Sequence, residues 1–178
     1  NDKISLQEAK LQNLDTSSER YTQTLRNIAS GYEDSSQEVQ KHINALQNLI
    51  DTQQVTGDNL DNTIDQINDL KVELENLHAQ ILNKNYEVVV NIKTQYDAEI
   101  DDVQFELDRS KAIQGMYEEG TANYNSELQK QIELTKQQMK LYDESRRKIK
   151  DEANQTALNA EQKKELEEQL EDLSISYI

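Results

Sequence analysis

The strongest constraint on the fold is an apolar repeat with a step of seven residues, which runs from Ile4 to Val88. Eleven of the thirteen residues in this column are apolar, and six of the twelve in a companion column from Gln7 to Lys84 are apolar. An ideal α-helix drifts about 20° per heptad against such a repeat, so a sustained step of seven predicts supercoiling against another helix. The two columns therefore correspond to the a and d positions of a coiled-coil seam.

Fourteen apolar residues in these columns form the predicted seam. They are Leu11, Leu14, Tyr21, Leu25, Ile28, Val39, Leu46, Leu49, Leu60, Ile67, Leu70, Leu74, Leu77 and Ile81. As a single helix, residues 4–88 would reach about 125 Å. Such a helix cannot bury its own apolar stripe, so it needs a second copy, another chain or a fold-back. We expect a homo-oligomer held together by this coil.

Two glycines could interrupt this segment. Gly31 is followed by Asp34, and Gly57 is followed directly by Asp58. Gly often ends a helix and Asp often begins the next one, so both sites could be bends, at 31–34 and at 57–58. The heptad register is unchanged across both sites, and this favours one continuous helix.

Composition supports long helices rather than a single globular core. The 178 residues include no Pro and only 4 Gly, the two residues that most destabilise helix interiors. Apolar residues make up only 34% of the chain, and the formal net charge is −16. The regular spacing of the apolar residues argues against disorder. The acidity argues against nucleic-acid binding, because phosphate contacts need an excess of Lys and Arg.

The second half of the chain has a different register and shorter stripes. The first stripe contains Tyr96, Ile100, Val103 and Leu107. The next contains Leu128, Ile132, Met139, Tyr142 and Ile149, and the last contains Leu166, Leu170, Leu173 and Tyr177. We expect helix breaks between these stripes, near residues 115–121 and 154–159.

Capping signals support both breaks. Gly120 fits the C′ position that ends a helix, and Thr121 fits the N-cap of the next one. Asn159 and Gln162 resemble a capping box. The sequence thus predicts an all-α chain, with a heptad segment over residues 1–90 and a helical segment over residues 91–178. The shorter helices of the second segment are expected to fold back as an antiparallel hairpin.

No residue pattern predicts catalysis, a cofactor or a metal site. The chain has no Cys, and its two histidines, His42 and His78, have no second His at helical spacing. Residues 57–62 lack the ligand spacing of a calcium loop and are interpreted as a helix cap. The basic cluster at residues 146–150 is interpreted as cations closing a helix, with a binding patch as the alternative. No run of about 18 apolar residues is present that could span a bilayer.

The C-terminal part of the chain resembles a known family. Residues 118–134 read EEGTANYNSELQKQIEL, and residues 158–170 read LNAEQKKELEEQL. These runs look like the helical region of tail tape measure proteins from phages and prophages of Gram-positive bacteria. The resemblance covers residues 90–175, and the first 88 residues match that family only in character.

The resemblance implies a structural role. Tape measure proteins are helical chains in the growing tail tube, and tube subunits polymerise around them until the helical ruler is covered. The implied partners are tail tube proteins, and the implied location is the virion tail after assembly in the bacterial cytoplasm. A coiled-coil tether or adhesin stalk is the alternative function, and we expect no enzyme activity. The chain starts at Asn1 without a charged-then-apolar leader, and we expect it to be part of a longer protein.

Overall fold

The computed structural model describes residues 2–175, with side chains described as far as residue 171, and it contains five α-helices. They are α1 (Asp2–Leu11), α2 (Glu19–Asp51), α3 (Asp58–Gln114), α4 (Ala122–Gln155) and α5 (Ala160–Ile175). No strand occurs among the described residues, so the predicted all-α fold class is confirmed. The side chains of Leu173 and Tyr177, two residues of the last predicted stripe, lie outside the described part.

The helices form two compact units. The first comprises Asn1–Leu14 and Glu19–Val88, and it contains α1, α2 and the first part of α3. The second comprises Asp15–Ser18 and Val89–Ile178, and it contains the rest of α3 together with α4 and α5. Helix α3 therefore contributes residues to both units.

In the first unit, the interior is formed by the apolar faces of its three helical segments. Helix α1 packs on α2, where the buried Ile4 meets Gly31 and the Tyr32 hydroxyl donates a 3.1 Å hydrogen bond to Glu8 Oε1. Ile43 of α2 and Ile67 of α3 are also buried. Because a helix cannot cover its own stripe, other helices of this compact unit cover these residues, and Glu87 of α3 lies near the Tyr32 hydroxyl of α2.

The connection between α1 and α2 is a compact polar turn over residues 12–18. Asp15 Oδ1 accepts hydrogen bonds from the Ser17 backbone N–H at 2.9 Å and from Ser17 Oγ at 2.8 Å. These two hydrogen bonds lower the pKa of the Asp15 carboxyl, the backbone one having the larger effect. Asp and Ser compete for backbone groups in this way, and the competition favours a turn over a helix.

The connection between α2 and α3 begins with a Schellman motif. The Gln54 N–H donates to the Leu49 carbonyl and the Gln53 N–H donates to the Ile50 carbonyl, both at 3.0 Å. Gln53 adopts a left-handed φ of 56°, in the position where glycine is usual. Gly57, with φ 57°, ends the connection, and its carbonyl accepts the first hydrogen bonds of α3.

The favoured prediction of one continuous helix through Gly57 is wrong. The chain leaves the helix after Leu11 and again after Asp51, whereas Gly31 lies inside α2 and interrupts nothing. The seven-residue columns keep the same register in the sequence on both sides of each connection. The periodicity alone therefore could not predict the two breaks. Helix α3 also continues without a break through residues 88–96, where the stripe changes register.

In the second unit, α3 and α4 lie side by side and antiparallel. Three hydrogen bonds link their side chains, and the pair nearest the start of this stretch of α3, at Gln104, has the partner that lies furthest along α4, Gln138. They join Gln131 to Gln114, Glu127 to Ser110 and Gln138 to Gln104. Buried Ile100, Val103 and Leu107 are the α3 residues at this contact, as their stripe predicts.

Both predicted caps of the second unit are present. Thr121 is the N-cap of α4, and its side chain accepts a hydrogen bond from the Tyr124 N–H. Asn159 and Gln162 form a reciprocal capping box at 3.1 and 2.8 Å before α5. Gly120, with φ 80°, is the third residue of a turn closed by Thr121 N–H and Glu118 C=O, so its predicted role as the C′ residue of α3 is wrong.

The left-handed conformation of Gln53 generates a stability prediction. A non-glycine residue in this region carries a steric penalty of about 1–2 kcal/mol. Gln53→Gly should remove it, and the net gain in unfolding free energy should be about 0.5–1 kcal/mol after the greater flexibility of the unfolded chain is counted. Chemical denaturation followed by circular dichroism measures this difference.

The neighbouring substitution Gln54→Gly serves as the control, because no left-handed conformation is present at that residue. It should leave stability unchanged or lower it. A loss of stability in Gln53→Gly as large as that in Gln54→Gly would contradict the assigned turn.

Candidate interaction surfaces

The predicted seam residues all lie on covered faces of the helices. Leu25, Ile28, Ile67 and Ile81 are buried. The other ten are partly covered, and they are Leu11, Leu14, Tyr21, Val39, Leu46, Leu49, Leu60, Leu70, Leu74 and Leu77. Helices of the first unit provide this cover, so the chain itself supplies a fold-back for the seam.

The covered face of α2 is wider than a two-residue seam. Four further residues of α2 are buried, each four positions after a residue of the first heptad column. They are Thr22, Ala29, Ser36 and Ile43. Helix α1 packs on α2. Gly31 is the closest point, since a Cβ atom there would lie 2.8 Å from Ile4 Cγ1.

Two amide side chains of α3, the buried Asn91 and the partly covered Gln95, hold the turn at residues 15–18 against this helix, and the sequence did not predict them. Asn91, only 5% exposed, donates a hydrogen bond to the Thr16 carbonyl. Gln95 Nε2 donates to the Ser18 carbonyl at 3.2 Å and to Asn91 Oδ1 at 3.0 Å. These hydrogen bonds satisfy two loop carbonyls that would otherwise be shielded from water without a partner. In the sequence, only the spacing of four residues between Asn91 and Gln95, which places both on one helix face, indicates a shared role.

The contact between α3 and α4 is polar at many positions. Ser110 is fully buried, and its hydroxyl donates to Glu127 Oε2 at 2.6 Å. Lys130 pairs with Glu106 at 3.5 Å, although both side chains remain about 40% exposed. Ser145 is also fully buried, and its Oγ has no hydrogen-bond partner within the described part of the chain. Small hydroxyl residues therefore allow the two helices to approach closely.

Two tyrosines have perturbed hydroxyl groups. Burial raises the pKa of Tyr32, and its hydrogen bond to Glu8 and the nearby Glu87 raise it further. Burial also raises the pKa of Tyr96, with Glu144 adding to the shift. Both hydroxyls stay protonated at neutral pH, and that of Tyr32 donates its hydrogen bond to Glu8.

The predicted stripe of α4 is split between two environments. Ile149 is buried and Tyr142 is partly covered. Leu128 and Ile132 are each 43% exposed, and Met139 is 49% exposed. The face of α4 that meets α3 instead carries polar side chains such as Gln131 and Gln138. The apolar spacing predicted a covered stripe, and its first half lies at the surface.

The basic cluster at residues 146–150 does not close a helix. Helix α4 continues to Gln155, so these cations lie before its last turn, which is where the helix dipole acts. A cleft of about 480 Å³ lies between α4 and α5 and is lined by Arg146, Lys150 and Lys163. Its remaining lining residues are Ala153, Asn154, Leu166, Glu167, Leu170 and Glu171. Because the cluster lies inside α4 and not at its end, the interpretation of the cluster as a helix-end cap is wrong.

The histidines, acids and helices offer no further site in the described residues. His42, assigned to the seam column, lies exposed, as does His78. Residues 2–175 contain no group of three or more His, Cys, Asp or Glu side chains arranged to hold a metal ion. Within the same range, no helix combines the length and apolar character needed to cross a membrane.

The close approach at Gly31 generates a testable coupling. Gly31→Ala gains about 1 kcal/mol of helix propensity. It also forces a methyl group against Ile4, and such overpacking costs about 1–3 kcal/mol. We expect Gly31→Ala to destabilise the native chain, but to stabilise a chain that already carries Ile4→Ala by about 1 kcal/mol. Unfolding free energies of the four variants measure the coupling.

Ser30→Ala is the matched control, because Ser30 is exposed on the same helix. Its small effect should be the same with Ile4 and with Ala at position 4. If Gly31→Ala has the same effect in both backgrounds, α1 does not pack on α2 through Ile4.

Comparison of the chain with protein-family models, with curated proteins and with solved structures finds no match.

Proposed function

We propose that this chain is a non-catalytic helical segment of a tail tape measure protein, which sets the length of a phage tail from inside the tail tube. The observation that carries the proposal is the position of the two sequence runs that resemble this family. The first contains the turn and the N-cap at Thr121, and the second contains the capping box at Asn159. The resembling residues thus set where long helices begin, which is the feature that a helical ruler must control.

A ruler converts residue number into length, and the conversion depends on how the helices are arranged. An extended helix contributes about 1.5 Å per residue. Where two helices lie side by side, as α2 and the first part of α3 are proposed to do, one residue must be added to each helix to lengthen the pair by about 1.5 Å. The proposed ruler segment can therefore act in either of two arrangements, and these differ twofold in length per residue.

The second candidate is a helical interaction or tether module of a bacterial protein. One observation favours it: the seam residues are covered by helices of the same chain. A module that buries its own apolar stripe can fold without a tube or a second coil around it. Its span would not be copied into any other structure.

An insertion experiment distinguishes these functions. Residues 39–45 and 64–70 lie at equal distances from the connection between α2 and α3, and each is one heptad long. Two extra copies of each heptad, inserted in place in the full-length phage protein, preserve the a and d columns on both helices. An extended ruler should then lengthen the tail by about 42 Å, whereas a ruler with paired helices should lengthen it by about 21 Å. Electron microscopy of many particles measures the mean tail length.

Asp65→Ser with Asp69→Ser is the control, since both residues are exposed on α3 and the substitution changes charge without changing residue number. Tail length should not change in this variant. Infectious particles whose tails keep their original length after the insertion would exclude the ruler and leave the tether module.

A further inference from the structure

Helix α4 contains seven Lys or Arg and six Asp or Glu, a net charge of +1, and its bases are concentrated in its middle part. Residues 128–150 include seven Lys or Arg and three Asp or Glu, a net charge of +4. Since the full chain has a net charge of −16, the remaining residues together carry −20. A basic surface is therefore concentrated on one helix of an otherwise acidic molecule.

The same helix exposes an apolar stripe, formed by Leu128, Ile132 and Met139, which we call the α4 stripe. Its spacing of four and then seven residues matches alternate a and d positions of a helix-pairing face. Each stripe residue directly follows a residue hydrogen-bonded to α3, and these are Glu127, Gln131 and Gln138. The α4 stripe thus lies about 100° around the helix from the face that meets α3.

Cations flank the α4 stripe. Lys136 lies one turn beyond Ile132, and Lys140 directly follows Met139. Both lysines line a groove with Met139 and Arg147, which also contains the acids Asp143 and Glu144. The Lys140 side chain is 77% exposed even though it pairs with Glu144 at 3.7 Å. An exposed pair of this kind contributes little stability, so Lys140 can exchange its partner at small cost.

We propose that the α4 stripe is a docking surface for an acidic amphipathic helix of a partner protein. The apolar residues of that helix would cover Leu128 and Ile132, and its flanking carboxylates would pair with Lys136 and Lys140. Charge complementarity selects this occupant. A second copy of α4 would bring two segments of charge +4 together, and these would repel each other in either orientation. A nucleic acid has no apolar face to cover the stripe.

The test uses the full chain and two labelled helical peptides of about three heptads each. Both peptides have Leu at the a and d positions, but one has Glu at the e and g positions and the other has Lys there. Fluorescence anisotropy should show that the acidic peptide binds about tenfold tighter than the basic one, and that this preference shrinks as salt rises from about 0.05 to about 0.5 M.

Two variants locate the binding surface. Ile132→Ser should weaken binding of the acidic peptide about tenfold through loss of apolar contact. Lys136→Glu with Lys140→Glu should weaken it by a similar factor and should strengthen binding of the basic peptide. Phe105→Ser is the matched control, because Phe105 is 67% exposed on α3 in the same unit but lies outside the α4 stripe. It should bind both peptides as the native chain does.

Several results would overturn the proposal. They are equal binding of the two peptides, binding unaffected by either stripe variant, and self-association of the chain that Ile132→Ser abolishes. Binding of a DNA duplex that is lost in the double Lys variant but kept in Ile132→Ser would also overturn it. Circular dichroism checks that each variant is folded, and if Ile132→Ser is not, the double Lys variant alone decides the outcome.

Discussion

Burial of the heptad seam is the interaction on which the first unit depends. The seam residues form a regular apolar stripe in a chain that is only 34% apolar, so they must be covered for the helices to be stable. The connection between α2 and α3 meets this need by bringing two stretches of the same seam together. Ile67 and Ile81 of the seam are buried. Without that reversal, the same residues would need a second chain.

The local chemistry of the connections determines where the chain turns. Asp15 and the Schellman motif around Gln53 satisfy backbone groups that a continuous helix would have used. Neither site has a proline, and only Gly57 is a glycine. The chain therefore turns through the hydrogen bonds of Asp15 and through the left-handed residues Gln53 and Gly57. Asp, Ser and Gln also occur inside α2, so the presence of these residue types does not by itself predict a turn.

These features explain what the sequence could and could not predict. The helical class and the caps at Thr121 and Asn159 follow from periodicity and capping chemistry, which are local. The two breaks in the first half do not, because their length preserves the heptad columns. The exposure of Leu128 and Ile132 could not be predicted from local sequence either, since it depends on which face of α4 meets α3. That face is held by polar pairs such as Gln131 with Gln114, which no apolar pattern reveals.

The distance between α2 and α3 tests the covered seam most directly. The chain has no native cysteine, and Lys41 and Asn68 are exposed at equal distances from the connection. Spin labels on Lys41→Cys and Asn68→Cys, measured by double electron–electron resonance with excess unlabelled chain, should lie within about 25 Å, because packed helix axes are about 8–10 Å apart. One continuous helix would instead hold them about 40 Å apart. A distance of about 40 Å, or a short distance that disappears on dilution with unlabelled chain, would show that the chain does not cover its own seam.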